Sequence, residues 1–487
     1  MSDSGPAPTI AVIGAGFSGL AAALELQRRA AEYGRQVDVS AFEAGPRPGG
    51  LVHTQRIGDY LVERGADSFI TNKPAAVTLC RQLGLESRLI GTDPRFRKSF
   101  ILRRGRPVAT PAGFQLLAPT RFWPLVKSPL LSWRGKLRVL REMAVPPRKE
   151  ATDESLASFV RRRFGQEALD RIVQPLVGGI YTSDPERLSL AATMPRFLEM
   201  ERRHGSVIRA LRRSTVDDAG AHGARYGLFV SLPGGMEELL SAMAERFQSQ
   251  LGALALQTEV SSVRRLAPGA GWELTTPAGP RRFDALILAI PAYRAAALIE
   301  SHSPGLAAAL NEIEYASSAI VVTGHRLADI RHPLDGAGMV IPHIEQRRIL
   351  AVSFASRKFP GRAPEGRVIL RTFVGGAMQP ELLAQDDPSL VRIVLAELRD
   401  LLGAEGEPDF TEVVRYGRGM PQYHVGHLER VNRIDEAAAK LPGFALCGNA
   451  YRGVGIPDAI ASGTAAADAV WRSLPSQTGQ PAGPPAD

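Results

Sequence analysis

The chain has 487 residues, of which 44% are hydrophobic and 22% are charged, the balance of a soluble globular protein. This length exceeds one ordinary core and predicts two or three domains. No run of about 18 uninterrupted apolar residues occurs, so we expect no membrane-spanning helix, and the N-terminus lacks the basic region of a signal peptide. Cys80 and Cys447 have neither metal nor disulfide spacing, which predicts a reduced, cytoplasmic protein without a metal site.

The net charge of +9 is concentrated in one region. Residues 95–149 hold 14 Lys and Arg against the single acid Glu142, a local balance of +13. Nucleic acid, an anionic membrane surface or an acidic substrate can each explain such a surplus. The cations are dispersed among Pro and Leu rather than placed along a recognition helix, so we do not expect nucleic-acid binding.

The first informative motif is Gly14-Ala15-Gly16-Phe17-Ser18-Gly19, which lies between an apolar strand and an Ala-rich helix. Its first glycine permits the tight turn, its second lets the backbone approach a pyrophosphate, and its third lets the helix pack on the strand. A second strand ends at Glu43, whose carboxylate suits ribose hydroxyls. The pattern predicts a dinucleotide at the helix N-terminus; a tight turn in another α/β domain is the alternative.

A second glycine-rich segment follows as Ala44-Gly45-Pro46-Arg47-Pro48-Gly49-Gly50-Leu51. Adjacent glycines leave bare backbone beside a cofactor, and Arg47 can pair with a phosphate. This extension is commoner in FAD-binding flavoproteins than in NAD dehydrogenases, so we predict FAD. The small residues of Gly65-Ala66-Asp67-Ser68 suit a turn near a flavin ring, with an ordinary capped loop as the alternative. A helix is predicted next, at residues 74–90.

Residues 93–213 differ in character from the segments on either side. A basic hairpin-like segment at 97–106 precedes a segment at 114–127 that mixes aromatic residues, leucines and prolines with isolated cations. This mixture suits a membrane interface, and the lid of an internal apolar channel is the alternative. Helices are predicted at 134–143, 153–163 and 166–176. Residues 177–181 are expected to break the helical run, and Arg161-Arg162-Arg163 to form a solvated helix end.

The chain then returns to the dinucleotide domain. Residues 254–263 are predicted to form a strand pair, and the nearly continuous apolar run at 283–291 predicts a buried parallel strand. Strands between 297 and 430 suggest an antiparallel sheet that roofs a substrate pocket. At 444–458 an apolar strand meets a second glycine-rich turn and a helix, whose N-terminal dipole can stabilise negative charge on a reduced flavin.

Three of these motifs, together with the Gly-Gly turn Leu232-Pro233-Gly234-Gly235-Met236 before a predicted helix, resemble the oxygen-dependent protoporphyrinogen oxidases, in the wider amine oxidase and phytoene desaturase group. The three motifs are residues 14–19, 43–50 and 448–458. Further matching segments are 177–181 with Asp184-Pro185, 371–376, and Pro421-Gln422-Tyr423 with Gly426-His427. The resemblance covers residues 9 to 472. It implies an α/β fold with an FAD-binding, Rossmann-like core of amine-oxidase type, an antiparallel-sheet substrate domain and a helical membrane-binding domain.

The resemblance also implies domain boundaries. The FAD-binding domain is expected in three parts, at 1–92, 214–296 and 436–472. The helical membrane-binding and channel domain is expected at 93–213, the substrate-binding domain at 297–435, and a disordered tail at 473–487.

The implied reaction is the six-electron oxidation of protoporphyrinogen IX to protoporphyrin IX in heme biosynthesis, with O2 as acceptor and hydrogen peroxide as product. Three alternatives stay open: oxidation of coproporphyrinogen III to coproporphyrin III, another FAD amine oxidase or desaturase, and a non-catalytic flavin-binding membrane protein. The expected location is cytoplasmic, peripherally associated with the anionic surface of the cytoplasmic membrane. The oligomeric state stays open, with a homodimer as one option.

Site residues are carried over from the family motifs by position. The implied FAD-binding residues are Gly14, Ala15, Gly16, Ser18, Gly19, Glu43, Ala44, Arg47, Gly50, Leu51, Gly65, Ala66, Asp67, Ser68, Val260, Val454, Gly455 and Ile456. The macrocycle is expected among Gly179, Leu334 and Phe373. Animal and plant members carry an Arg where this chain has Ser99, so Lys98 is the substitute anchor for a propionate. Asp67, which resembles bacterial members, is the hypothesised acceptor of a pyrrole proton.

Overall fold

The computed structural model describes residues 6–150, 152–217, 228–267 and 269–474. The predicted disordered tail therefore lies, from residue 475 onward, outside the described residues. The strands in chain order are β1 Thr9–Ile13, β2 Asp38–Phe42, β3 Thr54–Ile57, β4 Tyr60–Glu63, β5 Phe69–Ile70, β6 Ile90–Gly91, β7 Ser99–Arg103, β8 Arg106–Ala109, β9 Phe114–Gln115, β10 Ala118–Pro119, β11 Phe229–Ser231, β12 Ala253–Ala255, β13 Ser262–Arg265, β14 Trp272–Thr276, β15 Gly279–Phe283, β16 Ala285–Leu288, β17 Tyr315–Arg326, β18 Gly338–Val340, β19 Ala351–Phe354, β20 Arg367–Gly375, β21 Phe410–Pro421 and β22 Phe444–Leu446.

The helices fall mainly between the strands of the dinucleotide domain and in the middle of the chain. In chain order they are α1 Phe17–Glu32, α2 Pro74–Gln82, α3 Phe122–Lys127, α4 Trp133–Leu140, α5 Leu156–Arg163, α6 Gln166–Ala168, α7 Gln174–Tyr181, α8 Leu190–Thr193, α9 Pro195–His204, α10 Val207–Asp217, α11 Met236–Ser249, α12 Ala292–Ile299, α13 Pro304–Asn311, α14 Ala355–Lys358, α15 Asp387–Leu402, α16 His427–Ala439 and α17 Ile456–Ser473. Among the described residues, none of these helices combines the length and hydropathy needed to cross a bilayer.

A five-stranded parallel sheet forms the centre of the dinucleotide-binding part, in the order β12-β2-β1-β16-β22. Both faces are covered: α1, α11 and α17 pack on one, while α12, α13 and α16 pack on the other. This explains why β1 and β16 are almost uniformly apolar, as parallel strands buried on two faces are. The strand order brings together segments that lie more than 400 residues apart. This agrees with the prediction that the chain leaves the dinucleotide domain twice and returns to it each time.

Two local predictions in this part are wrong. Residues 254–263 do not pair with one another, because β12 extends the parallel sheet beside β2 while β13 pairs with β14 in a separate sheet. The helix predicted at 74–90 ends at Gln82, and a strand, β6, already begins at Ile90. Gly84 takes φ +73°, and the N–H of Leu85 donates to the carbonyl of Cys80, which ends the helix by a left-handed turn.

A seven-stranded sheet, β21-β17-β20-β19-β18-β7-β8, forms the second body of the molecule. It is not purely antiparallel, because β18 and β7 run parallel. The basic hairpin β7–β8, predicted within the helical segment 93–213, is the edge of this sheet. Parallel neighbours need a long connection, and here the connection is the whole excursion from β7 to β18. The helix α15 covers one face of the sheet.

The helical excursion has its own apolar core, built mainly from α5, α10 and the segment Leu169–Val173 before α7. The expected break at 177–181 is wrong, because α7 continues through both glycines to Tyr181. The helix ends at Thr182, whose φ of +49° is left-handed. A five-residue π-helical segment, Leu169–Val173, precedes α7. It changes the direction in which the residues of α7, including its glycines, face around the helix axis.

The triple arginine at the end of α5 is not a solvated helix end. Arg163 has no exposed surface and is paired with Glu142 and Glu201. Arg162 donates to Glu154 at 2.8 Å and to Glu201 at 2.6 Å. Only Arg161 fits the prediction, with 44% of its side chain exposed. The acids come from distant segments, so spacing within α5 gave no sign of them.

Candidate active site

The β1–α1 junction has the geometry that the glycine motif predicts. Gly14 takes φ +100°, and a Cβ there would lie 2.5 Å from the carbonyl oxygen of Ala289. A Cβ on Gly19 would lie 1.8 Å from the carbonyl oxygen of Gly14. Gly16, the N-cap of α1, has no atom within 4 Å of its Cβ position and no side-chain cap. The outer glycines are thus required by packing, whereas the middle one borders open space at a helix N-terminus, which fits a pyrophosphate.

Glu43 closes the far side of this junction. Its carboxylate accepts hydrogen bonds from the N–H of Ala15 at 3.0 Å and of Gly45 at 2.8 Å. The adjacent segment of the same polypeptide is fixed by a hydrogen bond from the N–H of Thr258 to the carbonyl of Glu43 at 2.8 Å. Val260 is buried close by, in the same apolar cluster as Phe42. A rigid carboxylate beside open space is suited to the ribose hydroxyls of a dinucleotide.

The segment after Glu43 folds back on the junction. The N–H of Gly49 donates to the carbonyl of Ala15 at 2.9 Å. Arg47 donates to the carbonyls of Pro48 at 3.0 Å and Val52 at 2.9 Å, so it holds the shape of this loop. A Cβ on Gly65 would lie 2.1 Å from the carbonyl oxygen of Leu51, and residues 50–51 and 65–66 therefore lie side by side.

The second glycine-rich turn reaches the same place from the other end of the chain. Ile456 belongs to the apolar cluster of Ala15 and Phe17. Tyr423 fixes this turn, because its hydroxyl donates to the carbonyl of Asn449 at 2.6 Å and accepts from the N–H of Gly453 at 2.7 Å. The structure thus brings together the two motifs at 14–19 and 454–456.

Asp67 lies in the turn at 65–68, between two cations of the seven-stranded body. Lys358 donates to Asp67 at 2.8 Å and to the Ser68 hydroxyl at 3.1 Å. The Arg371 guanidinium lies 3.1 Å from the other carboxylate oxygen of Asp67 and donates to the carbonyl of Gly65. Side chains from α14 and β20 therefore hold the turn from the side of the seven-stranded sheet.

These contacts argue against Asp67 as a proton acceptor. Burial raises the pKa of Asp67, but the charges of Lys358 and Arg371 lower it further, to well below its usual range. A carboxylate with so low a pKa is a very weak base at neutral pH. The ion pairs instead give Asp67 a role in holding the turn.

Phe373 and Gly179 are brought together by the sheet. In register, Phe373 pairs with Ala351 and Ala351 pairs with Val340, so the three residues share one face. A Cβ on Gly179 would lie 3.6 Å from the Cγ1 of Val340. Gly179 is exposed and Phe373 is half-buried. The result is an open, apolar face next to the turn at 65–68.

Leu334 and Lys98 do not join this group. Leu334 is fully buried in the cluster between the sheet and α15, on the opposite face from Phe373. Its backbone has φ +48°, a left-handed conformation that the sequence does not predict. Lys98 lies 3.1 Å from Asp335, an exposed pair that already matches its charge. Neither residue is therefore placed to hold a macrocycle against Phe373.

The edge of the same sheet face carries a basic groove. Its volume is about 660 Å³, and its lining consists of Arg103, Arg104, Arg106, Val108, Pro129 and Leu131. Val108 pairs with Ile101, which pairs with Val340, so the groove continues the face that starts at Phe373. Nearby, Trp123 and Trp133 are 66% and 69% exposed. No cluster able to hold a metal ion occurs among the residues that the structure describes.

Sequence reasoning missed Lys358, Arg371 and Tyr423. Arg371 had a usable signal, since it is a cation that follows three apolar residues in the middle of a strand, and the structure buries it. Lys358 had none, because it lies in a four-residue helix, α14, with no motif around it. Tyr423 stood in a recognised motif, but its contacts with Asn449 and Gly453 depend on the tertiary fold.

Comparison with known proteins matches the model of the family described as flavin containing amine oxidoreductase to residues 17–471. A coproporphyrinogen III oxidase of Bacillus subtilis (strain 168) is 32% identical over 94% of this chain and 96% of the relative. A mitochondrial protoporphyrinogen oxidase of Nicotiana tabacum is 29% identical over 96% of each chain. A solved structure from Exiguobacterium sp. 255-15, assigned as a protoporphyrinogen oxidase, superposes with a TM-score of 0.85 and 28% identity over 96% of this chain and all of the other.

More distant structures share the fold alone. A putrescine oxidase variant has 19% identity and a TM-score of 0.68, with 96% of this chain and 99% of the other covered. The family model spans residues 17–471, and the relatives cover more than nine-tenths of the chain. This chain therefore belongs to the flavin containing amine oxidoreductase family, on the branch that includes the porphyrinogen oxidases, and its cofactor is FAD.

Proposed function

We propose that the protein oxidises a porphyrinogen to the corresponding porphyrin, with FAD as the immediate electron acceptor and O2 as the final one. The observation that carries the proposal is the open apolar face of Phe373, Ala351 and Val340, which faces Gly179 and borders the turn at 65–68. The apolar pyrrole rings of a porphyrinogen, a macrocycle that becomes planar only on oxidation, fit such a face. The names of the relatives, which are coproporphyrinogen III and protoporphyrinogen oxidases, support the same substrate class.

The bound cofactor supplies a two-electron acceptor, and the chain supplies position and shielding. The N-terminus of α1 and the bare backbone of Gly16 hold the pyrophosphate, and Glu43 holds the ribose. Lys358 and Arg371 fix the turn at 65–68 through Asp67. Phe373 and Val340 exclude water from one side of the substrate and orient the carbon that loses hydride. Asp67 stays ionised, so the pyrrole protons leave to solvent.

The overall balance is fixed by the substrate. Conversion of a porphyrinogen to a porphyrin removes six hydrogen atoms, which is six electrons and six protons. Three O2 molecules accept them and become three molecules of hydrogen peroxide. The proposal therefore predicts that three O2 are consumed for each porphyrin formed. It also predicts that this happens faster than the spontaneous oxidation of the substrate.

Two substrates enter the proposal. Protoporphyrinogen IX, with two carboxylates, is the one that the sequence resemblance implies. The basic groove favours coproporphyrinogen III as a second candidate, because its four carboxylates need more cations, and no ion pair occupies Arg103, Arg104 or Arg106 among the described residues. Relatives from Bacillus subtilis (strain 168), Propionibacterium freudenreichii subsp. freudenreichii and Staphylococcus aureus (strain NCTC 8325 / PS 47) are named as coproporphyrinogen III oxidases.

Aerobic incubation of the FAD-loaded protein with each porphyrinogen tests the proposal. We expect porphyrin fluorescence to grow faster than in the control without enzyme, with about three O2 consumed per porphyrin. The ratio of kcat/KM for the two substrates decides between them. A variant with Arg103, Arg104 and Arg106 changed to Gln should lose more kcat/KM for the tetracarboxylate than for the dicarboxylate. A yellow protein without a rate above control would point to a non-catalytic flavin binder.

We further propose that the protein is cytoplasmic and docks on an anionic membrane surface. The exposed Trp123 and Trp133 each carry a lysine over the ring, Lys127 at 5.1 Å and Lys136 at 5.6 Å. Tryptophan at headgroup depth with cations beside anionic lipid is a common interfacial arrangement. Vesicle sedimentation tests it: phosphatidylglycerol vesicles should bind the protein, phosphatidylcholine vesicles should bind it less, and Trp123→Ala/Trp133→Ala should lose binding.

A further inference from the structure

The turn at 65–68 is surrounded by more positive than negative charge. Asp67 contributes one negative charge, and Lys358 and Arg371 contribute two positive charges within 3.1 Å of its carboxylate. All three side chains are largely buried, with 13%, 12% and 3% of their surface exposed. Solvent therefore screens the excess charge poorly.

The neighbouring charged pairs do not cancel this excess. Arg362 lies 3.8 Å from Glu63, and Arg64 lies 2.9 Å from Glu412, so each of these pairs is balanced within itself. One positive charge is thus left over at the turn.

Part of the Arg371 side chain is also unsatisfied. Its terminal nitrogens bind Asp67 and Gly65, but Nε is buried without a hydrogen-bond partner. A charged side chain at 3% exposure is costly to bury unless it is paired, and Arg371 shares its one carboxylate partner, Asp67, with Lys358. Arg371 shares its sheet face with Phe373, so it lies between the turn at 65–68 and the apolar face that Phe373 begins.

We propose that Arg371 and Lys358 raise the reduction potential of the bound FAD. Two-electron reduction adds negative charge to the flavin ring, and an uncompensated positive charge beside the ring favours the reduced form. A unit charge within about 10 Å, at an effective dielectric of about 20, changes that equilibrium about tenfold. For a two-electron couple a tenfold change corresponds to about 30 mV.

This inference rests on the placement of the turn beside the flavin, not on the identity of the substrate. It fails independently of the proposed function, because a reduction potential is measured without a porphyrinogen. A purely structural role for the cluster makes a different prediction: loss of any member would loosen the turn, and the potential would not follow the sign of the charge removed.

The test is the reduction potential of the FAD-loaded protein, measured anaerobically by equilibration with a reference dye. Arg371→Gln and Lys358→Gln each remove a positive charge, so we expect about a tenfold shift toward oxidised flavin. Asp67→Asn removes the negative charge and should shift the equilibrium about tenfold the other way. Arg371→Lys keeps the charge while losing the paired contacts, and should restore most of the potential.

Arg367→Gln is the matched control. Arg367 starts the same strand, β20, and its charge is balanced by Asp409 at 2.6 Å, so its loss should leave the potential unchanged. If one variant loses FAD, the others still decide the question. Equal potentials in Arg371→Gln, Lys358→Gln and wild type, or a shift of Asp67→Asn in the same direction as the cation variants, would overturn the proposal.

Discussion

The glycine junction offers a substitution that separates folding from cofactor binding. Gly16 has φ −80° and ψ −174°, which any residue can adopt, and a methyl group there would meet no atom within 4 Å. Alanine loses about 0.5–1 kcal/mol of N-cap preference. It regains about 0.4–1 kcal/mol because the unfolded chain becomes less flexible. The two effects nearly cancel, so Gly16→Ala should leave the unfolding free energy of the apoprotein within about 0.5 kcal/mol of wild type.

FAD binding should respond quite differently. The methyl group of Gly16→Ala stands where the backbone must approach the pyrophosphate. We expect the Kd for FAD to rise at least about tenfold, which is about 1.4 kcal/mol. Gly19→Ala is a different perturbation, because its Cβ would lie 1.8 Å from the carbonyl oxygen of Gly14. That substitution must move α1 away from β1, and it should destabilise the apoprotein itself.

The measurements are FAD titration followed by flavin fluorescence and denaturant unfolding of the apoprotein. Gly305→Ala is the control, since its Cβ position is also open and it lies in α13, far along the chain from the junction. It should leave the Kd for FAD unchanged and raise the unfolding free energy by about 0.4–1 kcal/mol, because alanine restricts the unfolded chain. Two results would refute the reasoning: FAD binding by Gly16→Ala within twofold of wild type, or a loss of apoprotein stability as large as that of Gly19→Ala.

Three further predictions concern single side chains. Glu142→Ala removes one of the two carboxylate partners of the buried Arg163, leaving Glu201, and also the hydrogen bond that Glu142 accepts from the Val207 N–H of α10 at 2.9 Å. Denaturant unfolding should show a loss of about 3 kcal/mol, and a loss under about 1 kcal/mol would contradict this. Because the folded pKa of Asp67 is lowered, Asp67→Asn should cost stability fully above about pH 5 and progressively less below pH 4; a pH-independent cost would be the contrary outcome. Phe373→Ala should raise KM about tenfold in steady-state assays, and an unchanged KM would remove Phe373 from the substrate face.

The sequence predicted the parts of the site that depend on short-range spacing. The junction at 14–19 could be interpreted because a turn, a close approach and a helix packing contact each demand glycine at one position. Glu43 was predictable because it ends the next strand. The apolar run at 283–291 was predictable as a buried parallel strand, because burial on both faces leaves little room for polar residues.

Contacts across long separations were not predictable in this way. Arg371 contacts Asp67 only because the seven-stranded sheet places β20 beside the turn at 65–68. The α5 arginines meet Glu142 and Glu201 across a helical core, so the local pattern suggested solvent where the structure has buried ion pairs. Leu334 was carried over from the family resemblance by position, and its left-handed backbone and its burial toward α15 depend on the tertiary fold.

The contact between α1 and α17 has a consequence for how the protein is made. A Cβ on Gly463 would lie 2.1 Å from the carbonyl oxygen of Ser18, so the first and last helices touch backbone to backbone. The strand β22 beside β16 and the turn before α17 also complete the cofactor cradle. A ribosome-bound chain must therefore expose residues as far as α17 before FAD can be held. Cofactor loading should follow synthesis of α17, and until then the newly made chain should depend on its own apolar clusters.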